Sequence, residues 1–355
     1  MKKKILISTG GSGGHVVPAE ILADHLRNEY EIFLSTDLRG YKFIKKDKDR
    51  IHIFDTPKLN FDYLILFKFI KVVFLILKSY FFLKRNRINK VVSTGGYMSL
   101  PICISAKLLK LEIYLYEPNF VLGRANKFFL KFCKAIICNT EKLINFPEKL
   151  KNKTRLIPFL VKKKFYEIKK LENENEKFCL LVAGGSQGAE VFENIIHSVI
   201  INLSKNFKIK IIQQTRSKNI TYLKDIYEKA NIENTIFDFE ENFANLISIS
   251  DFCITRAGAS TLAELSMMNK PFLAIPLQSS KDNHQFKNAS FYENLNCCWI
   301  MSQRDLNINS LENFLRNLLK NKSEYNVKKD NLKKLNSQNS WNDVNQKILN
   351  IINEN

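Results

Sequence analysis

The chain carries a strand-led, glycine-rich loop twice, and few folds accommodate that pattern. Residues 2–8 (KKKILIS) run into Gly10, Gly11, Ser12, Gly13, Gly14 and His15, and residues 178–183 (FCLLVA) run into Gly184, Gly185, Ser186, Gln187 and Gly188. A short, wholly apolar run is what a buried parallel strand looks like in sequence. Glycines at its carboxyl end let the backbone turn sharply and bring N–H groups to an anion at the next helix N-terminus. The repetition predicts two similar lobes facing one cleft, with a ligand that has two phosphates or two ligands that each bring phosphate.

Strand signals alternate with helix-length segments throughout. They fall at 4–8, 31–35, 51–54, 90–93, 112–116 and 135–138, then at 178–183, 208–213, 235–238, 252–255, 272–275 and 297–300. This alternation predicts an α/β protein of two Rossmann-like, doubly wound parallel sheets. At 355 residues the chain exceeds what one hydrophobic core usually serves, so two domains of roughly 160 residues are expected. The charged, low-complexity stretch 162–177 (KKKFYEIKKLENENEK) reads as a linker between an N-terminal domain, 1–161, and a C-terminal domain, 178–330. Residues 331–355 end in WNDVNQKILNII, whose helical spacing predicts a helix packing back on the first domain.

The formal net charge of +20 favours an anionic partner, though part of it reflects a composition rich in Lys, Asn and Ile throughout. No nucleic-acid-reading module is recognisable, so nucleic acid is not an expected partner. Seven cysteines without a CxxC pair, and an amino terminus that enters a strand at once, predict a cytosolic protein with reduced thiols and no zinc site. The most hydrophobic stretch, 61–87, is interrupted by Lys68, Lys71 and Lys78 and is too broken to span a bilayer. On a helical wheel those lysines and Arg85 share one narrow stripe, leaving a broad apolar face. Burial on a sheet flank would need only part of that face, so an anionic membrane interface is expected to take the rest.

GGSGGH lacks the Lys-Ser/Thr pair of a Walker loop, and Val16 stands where a dinucleotide fingerprint has its last glycine. His15, where loop meets helix, suits a general base and equally suits a structural bond to the loop backbone. A second glycine turn, Thr94, Gly95, Gly96, Tyr97, and the strand end Tyr116, Glu117, Pro118, Asn119 would line a pocket beside the first loop. In the second half, TRAGASTLAEL (255–265) places Glu264 where a carboxylate could accept both hydroxyls of a ribose diol. PLQSSKDNHQFKNA (276–289) ends another strand with His284, Gln285 and Asn288, which suit sugar hydroxyls.

In order and spacing, GGSGGH, STGGYMS, EPN followed by GRANK, GGSQGA, TRAGASTLAEL and DNHQFKNA resemble the MurG family of GT-B glycosyltransferases over residues 4–300. The resemblance implies inverting transfer of N-acetylglucosamine (GlcNAc) from UDP-GlcNAc to an undecaprenyl-diphosphate-linked muramyl pentapeptide, lipid I, giving lipid II for peptidoglycan. It implies donor binding by Gly185, Ser186, Gln187, Gly188, Thr261, Glu264, His284 and Gln285. Ser12, Gly13, Gly14, Gly96, Tyr97 and Asn119 would shape the acceptor pocket, and His15 would be the base or an acceptor-phosphate contact. Lys68, Lys71, Lys78 and Arg85 would meet the membrane, at the cytoplasmic face of the bacterial inner membrane. No tightly bound cofactor is implied, and a divalent metal would stimulate without being held.

Three segments depart from the family pattern. Tyr116 and Pro118 interrupt the usual HEQN, Leu100 precedes Pro101 where glycine is usual, and Leu160 stands where an Arg follows GNPV. The rival readings are a UDP-sugar transferase acting on another lipid such as diacylglycerol, and a UDP-GlcNAc 2-epimerase, which shares fold and donor but has no need of the apolar, basic 61–87 surface.

Overall fold

The computed structural model describes residues 2–44, 50–57, 63–168, 176–185 and 190–354. They form two units: residues up to Leu160 together with those from Ser340 onward, and Val161–Asn339.

The first unit holds seven strands: β1 Lys4–Ser8, β2 Glu31–Thr36, β3 Ile51–Ile53, β4 Lys90–Ser93, β5 Glu112–Glu117, β6 Ala135–Cys138 and β7 Thr154–Leu156. All pair in parallel in the order β3-β2-β1-β4-β5-β6-β7. The second holds β8 Phe178–Ala183, β9 Ile209–Gln214, β10 Glu233–Phe237, β11 Phe252–Thr255, β12 Phe272–Ala274 and β13 Trp299–Ile300. These are also parallel, in the order β10-β9-β8-β11-β12-β13. In each sheet the order reverses beside the first strand, between β1 and β4 and between β8 and β11. Ligands of such sheets bind in the crevice at the carboxyl ends of those strands.

Strand periodicity explains the layering. Ile5 and Ile7 of β1 enter a core under the helix Gly13–Leu26, while Leu6 points to the opposite core, which also holds Leu75 and Leu83 of the helix Ile65–Arg85. The last helix, Trp341–Asn353, starts where Ser340 accepts a bond from the Asp343 N–H at 3.1 Å. It sinks Val344, Ile348, Leu349, Ile351 and Ile352 into the first unit's core, each such side chain contributing about 1.5–3 kcal/mol of burial. The second unit's core joins Leu180 and Val182 of β8 to Phe192, Ile196 and Ile200 of the helix Glu190–Ser204.

One expected strand is shorter than its sequence signal, and one strand was not expected. The last strand is only Trp299–Ile300, because the Cys297 N–H bonds back to the Tyr292 carbonyl at 2.8 Å, where the preceding helix ends, and not to a sheet neighbour. The three-residue β7 (TRL) offers no apolar run to reveal it. Of residues 162–177, Lys164–Glu167 is helical with Phe165 buried, and 169–175 lie outside the described residues. All seven cysteines are free and buried.

Candidate functional site

In the first unit, β1 and β4 deliver their loops side by side, and Thr94 Oγ1 donates to Thr9 Oγ1 at 2.8 Å. Gly10 and Gly96 have φ of +150° and +84°. A Cβ at Gly10 would stand 2.6 Å from Asp37 Oδ1, and one at Gly96 2.3 Å from Met98 Sδ, so glycine is required twice. Ser12 is extended and makes no side-chain cap, so the N–H groups at the start of the helix it precedes, at Gly13 and Gly14, have no capping side chain.

His15 lies in that helix's first turn, with Nδ1 2.7 Å from the Thr94 carbonyl oxygen. A carbonyl only accepts, so Nδ1 carries the proton and the neutral ring keeps its lone pair on Nε2. The structural reading of His15 is observed, and the loop bond orients the ring so that Nε2 is the nitrogen left for other chemistry.

Glu117 is buried and accepts from Asn119 N at 3.2 Å, Asn119 Nδ2 at 3.0 Å, Gly123 N at 2.8 Å and Asn126 Nδ2 at 2.9 Å. It organises the loop that carries Asn119. Tyr97 opens the turn after Gly96, and its hydroxyl takes a hydrogen bond from Arg39. Asp37 and Arg39 escape sequence reading because TDLRG resembles an ordinary surface turn. The available signal is that Asp37 directly follows β2, whose carboxyl end lies beside that of β1.

In the second unit, Gly185 has φ of +75° after β8, and the Gly184 N–H donates to Gln214 Oε1 at 3.1 Å. Ser186, Gln187 and Gly188 lie outside the described residues. Beyond β11, Gly258 caps the helix Ala259–Met267, and the Thr261 hydroxyl lies 4.0 Å from where a Cβ on Gly258 would stand. Gln285 Oε1 accepts from Leu277 N at 2.9 Å and Ala257 N at 3.3 Å, tying two strand-end loops together. Asn288 Nδ2 donates to the Ala257 carbonyl at 3.1 Å. His284 is half-buried with Nδ1 2.8 Å from the Lys281 carbonyl, so its Nε2 also points away from the chain's own bonds. Thr261, Glu264, His284 and Gln285 thus come from the loops and helices after β11 and β12.

Glu264, on the same helix as Thr261, is partly exposed, and no described residue donates a hydrogen bond to its carboxylate. Burial pushes its pKa up to about 7, while Lys162 and Lys164 pull it down. Arg256, which the motif contains but the sequence reading did not single out, is buried and donates to the Ile275 carbonyl at 3.1 Å over the Phe192 ring. It places a positive charge at the end of β11. Among the described residues there is no group of three or more His, Cys, Asp or Glu side chains that could hold a metal ion.

Models of the glycosyltransferase family 28 N-terminal and C-terminal domains match residues 5–138 and 179–344. The chain belongs to glycosyltransferase family 28. A Pelagibacter ubique (strain HTCC1062) protein named UDP-N-acetylglucosamine--N-acetylmuramyl-(pentapeptide) pyrophosphoryl-undecaprenol N-acetylglucosamine transferase is 48% identical over 100% of both chains. A Rickettsia bellii (strain RML369-C) protein of the same name is 34% identical over 91% of this chain and 96% of its own. The crystal structure of Acinetobacter baumannii MurG superimposes with a TM-score of 0.79 at 21% identity, covering 99% of this chain and 100% of that one. The fold is therefore GT-B.

Two of the departures from the family pattern meet in the core of this family 28 enzyme. Tyr116 and Leu160 belong to one buried cluster, and the Tyr116 hydroxyl meets the Leu160 backbone and the Asn139 side chain. Pro118 is buried, and Leu100 is the first residue of the helix Leu100–Leu108, packed against the second core.

The helix Ile65–Arg85 turns the usual amphipathic arrangement outward. Val72, Leu75, Ser79 and Leu83 form its packed seam, whereas Leu66, Phe67, Phe74 and Phe81 are each 64–69% exposed, flanked by exposed Phe69, Ile70 and Leu77. The basic residues stand at the border of the seam: Lys71 pairs with Asp55 at 3.5 Å, Lys78 sits 5.5 Å from the Phe54 ring centroid, Lys68 is half-buried and Arg85 exposed. Packing against a sheet flank accounts for the seam alone. Among the described residues no helix is long and apolar enough to cross a membrane.

Proposed function

We infer that this glycosyltransferase moves GlcNAc from UDP-GlcNAc to the undecaprenyl-diphosphate-linked muramyl pentapeptide, making lipid II for peptidoglycan. The observation that carries this reading is end-to-end similarity, at 48% identity, to a protein named for that transfer. The second unit binds the donor. Glu264 accepts the two ribose hydroxyls, Thr261 and the loop after β8 hold the diphosphate, and His284 and the free amide nitrogen of Gln285 meet the sugar. Arg256 and the N-terminus of the helix Ala259–Met267 stabilise the charge that builds on departing UDP. The first unit binds the acceptor. His15 Nε2 takes the proton from the attacking C4 hydroxyl as that oxygen displaces UDP from the anomeric carbon with inversion. Tyr97, Asn119 and the amides of Gly13 and Gly14 shape the pocket.

The exposed face of Ile65–Arg85 lies in the headgroup region of the cytoplasmic leaflet, with Lys68, Lys71, Lys78 and Arg85 reaching anionic lipid. A diacylglycerol acceptor finds no support in the departures, since Tyr116 and Leu160 pack into the core. The test is transfer of radiolabelled GlcNAc from UDP-GlcNAc to a short-chain lipid I analogue, with diacylglycerol alongside. Product with lipid I alone is expected. Product with diacylglycerol alone would replace the acceptor, and product with neither would sink the transferase reading.

A further inference from the structure

Arg39 stands at the glycine loop of the first unit with its guanidinium fixed before any ligand arrives. Nε and Nη2 donate to Asp37 Oδ2 at 3.1 and 2.9 Å, and Nη2 also donates to the Tyr97 hydroxyl. The guanidinium carbon lies 5.2 Å from the Tyr97 ring centroid. Asp37 is buried, and its other oxygen accepts from the amides of Gly11 and Gly40, each at 2.8 Å. One carboxylate therefore ties the loop, the turn after β2 and the arginine into a single unit.

A structural role leaves much of this unexplained. Oδ1 alone holds the Gly11 and Gly40 amides, so that task is complete without Arg39. The Arg39 side chain is 46% exposed, and the entropy lost in holding so long a side chain in one geometry offsets part of what its pairing with Asp37 gains. What the arrangement does achieve is orientation. Nη2 lies 3.8 Å from where a Cβ on Gly11 would stand, so the fork lies over the loop, and no described residue accepts from Nη1. An ordered guanidinium beside backbone N–H groups suits a phosphoryl group, which it meets through its charge and the two N–H donors of Nη1.

We propose that Arg39, positioned by Asp37 and Tyr97, is a direct contact to the diphosphate of the lipid-linked acceptor. The proposal rests on the reading that the first unit binds that acceptor. The diphosphate is assigned over the peptide carboxylates because Arg39, on the turn after β2, lies over the neighbouring loop that carries the glycine amides, and those amides, with no side chains beside them, recognise compact anions.

The test compares wild type, Arg39→Ala and Arg39→Lys on two acceptors: a short-chain lipid I analogue and the same molecule with its diphosphate replaced by an uncharged linker. Arg39→Ala is expected to raise KM for the diphosphate acceptor by about 10- to 100-fold, with the dissociation constant for UDP unchanged. Arg39→Lys, which keeps the charge and loses the fork, should fall between. On the uncharged analogue all three proteins should show the same weak KM. An Arg39→Ala loss of equal size on both acceptors would overturn the proposal, assigning the arginine to loop structure or to the peptide, as would an unchanged KM. Wild type that binds UDP but transfers to neither acceptor would overturn the acceptor reading itself, and the proposal with it. Thermal melts of the variants separate binding from folding: unchanged melting with raised KM supports the contact, whereas a KM that rises only as the melting temperature falls counts against it.

Discussion

His15 Nδ1 lies 2.7 Å from the carbonyl oxygen of Thr94, so the loop after β4 decides which nitrogen of the ring is free. If Nε2 is the base, His15→Ala should lower kcat by roughly 100- to 10,000-fold while UDP affinity stays at the wild-type value. Single-turnover kinetics and UDP titration calorimetry would check this. A large loss of UDP affinity with little loss of kcat would remove the base role.

Glu264 makes donor binding depend on pH. With its carboxyl pushed up to about 7, the protonated form that predominates below that pH gives up hydrogen-bond acceptance to the diol. Affinity for UDP should therefore rise from pH 6 to pH 8 and then level off, with proton release on binding near neutrality. Glu264→Gln should be about 10- to 100-fold weaker and flat over the same range. Calorimetry in two buffers of different ionisation enthalpy reads both quantities, and a wild-type profile as flat as the variant's would exclude the carboxylate.

Membrane attachment should reside in the outward face of Ile65–Arg85. Replacing Phe67 and Phe74 by Ser removes two large exposed rings that carry no load in the core. The double variant should melt as wild type does and transfer to a water-soluble acceptor at the wild-type rate. It should also fail to sediment with vesicles containing anionic lipid. Sedimentation equal to wild type would place the contact elsewhere.

His25 links pH to stability. It stacks on Trp341 with ring centroids 3.6 Å apart, and Nδ1 lies 3.1 Å from Asn345 Oδ1. Burial lowers its pKa from 6.5 to about 4. The unfolded chain therefore binds a proton that the folded one refuses, and stability present above pH 6.5 is lost as pH falls toward 4. The loss is on the order of 2–3 kcal/mol. Chemical denaturation across this window should show the fall, and His25→Gln should remove most of the slope. An unchanged slope in the variant would assign it to other groups.

The sheets were legible because buried parallel strands are contiguous apolar runs: ILI in β1 and CLLVA in β8 admit little else. The glycine loops were legible for a related reason, since the backbone conformations at Gly10 and Gly96 exclude other residues and so leave a mark in one-letter code. Glu264, His284 and Gln285 could be picked out as candidates because they lie in polar segments that follow strand ends, and Thr261 because the motif around it resembles the family's.

Asp37 and Arg39 left no such mark. Their importance comes from β2 lying next to β1 and from Tyr97 arriving on a third loop, relations between segments distant in the chain. The same holds for Tyr116 and Leu160, which read as changes to a pocket and prove to be neighbours in a core. Periodicity also placed the basic stripe and the apolar face of Ile65–Arg85 correctly on the helix without saying which face met the sheet. Local sequence carries the backbone's steric demands and the burial period of each element, because both act within a few residues. Which side chains converge, and which apolar face goes uncovered, follows from strand order and helix packing, where the contacts that matter are made across the fold.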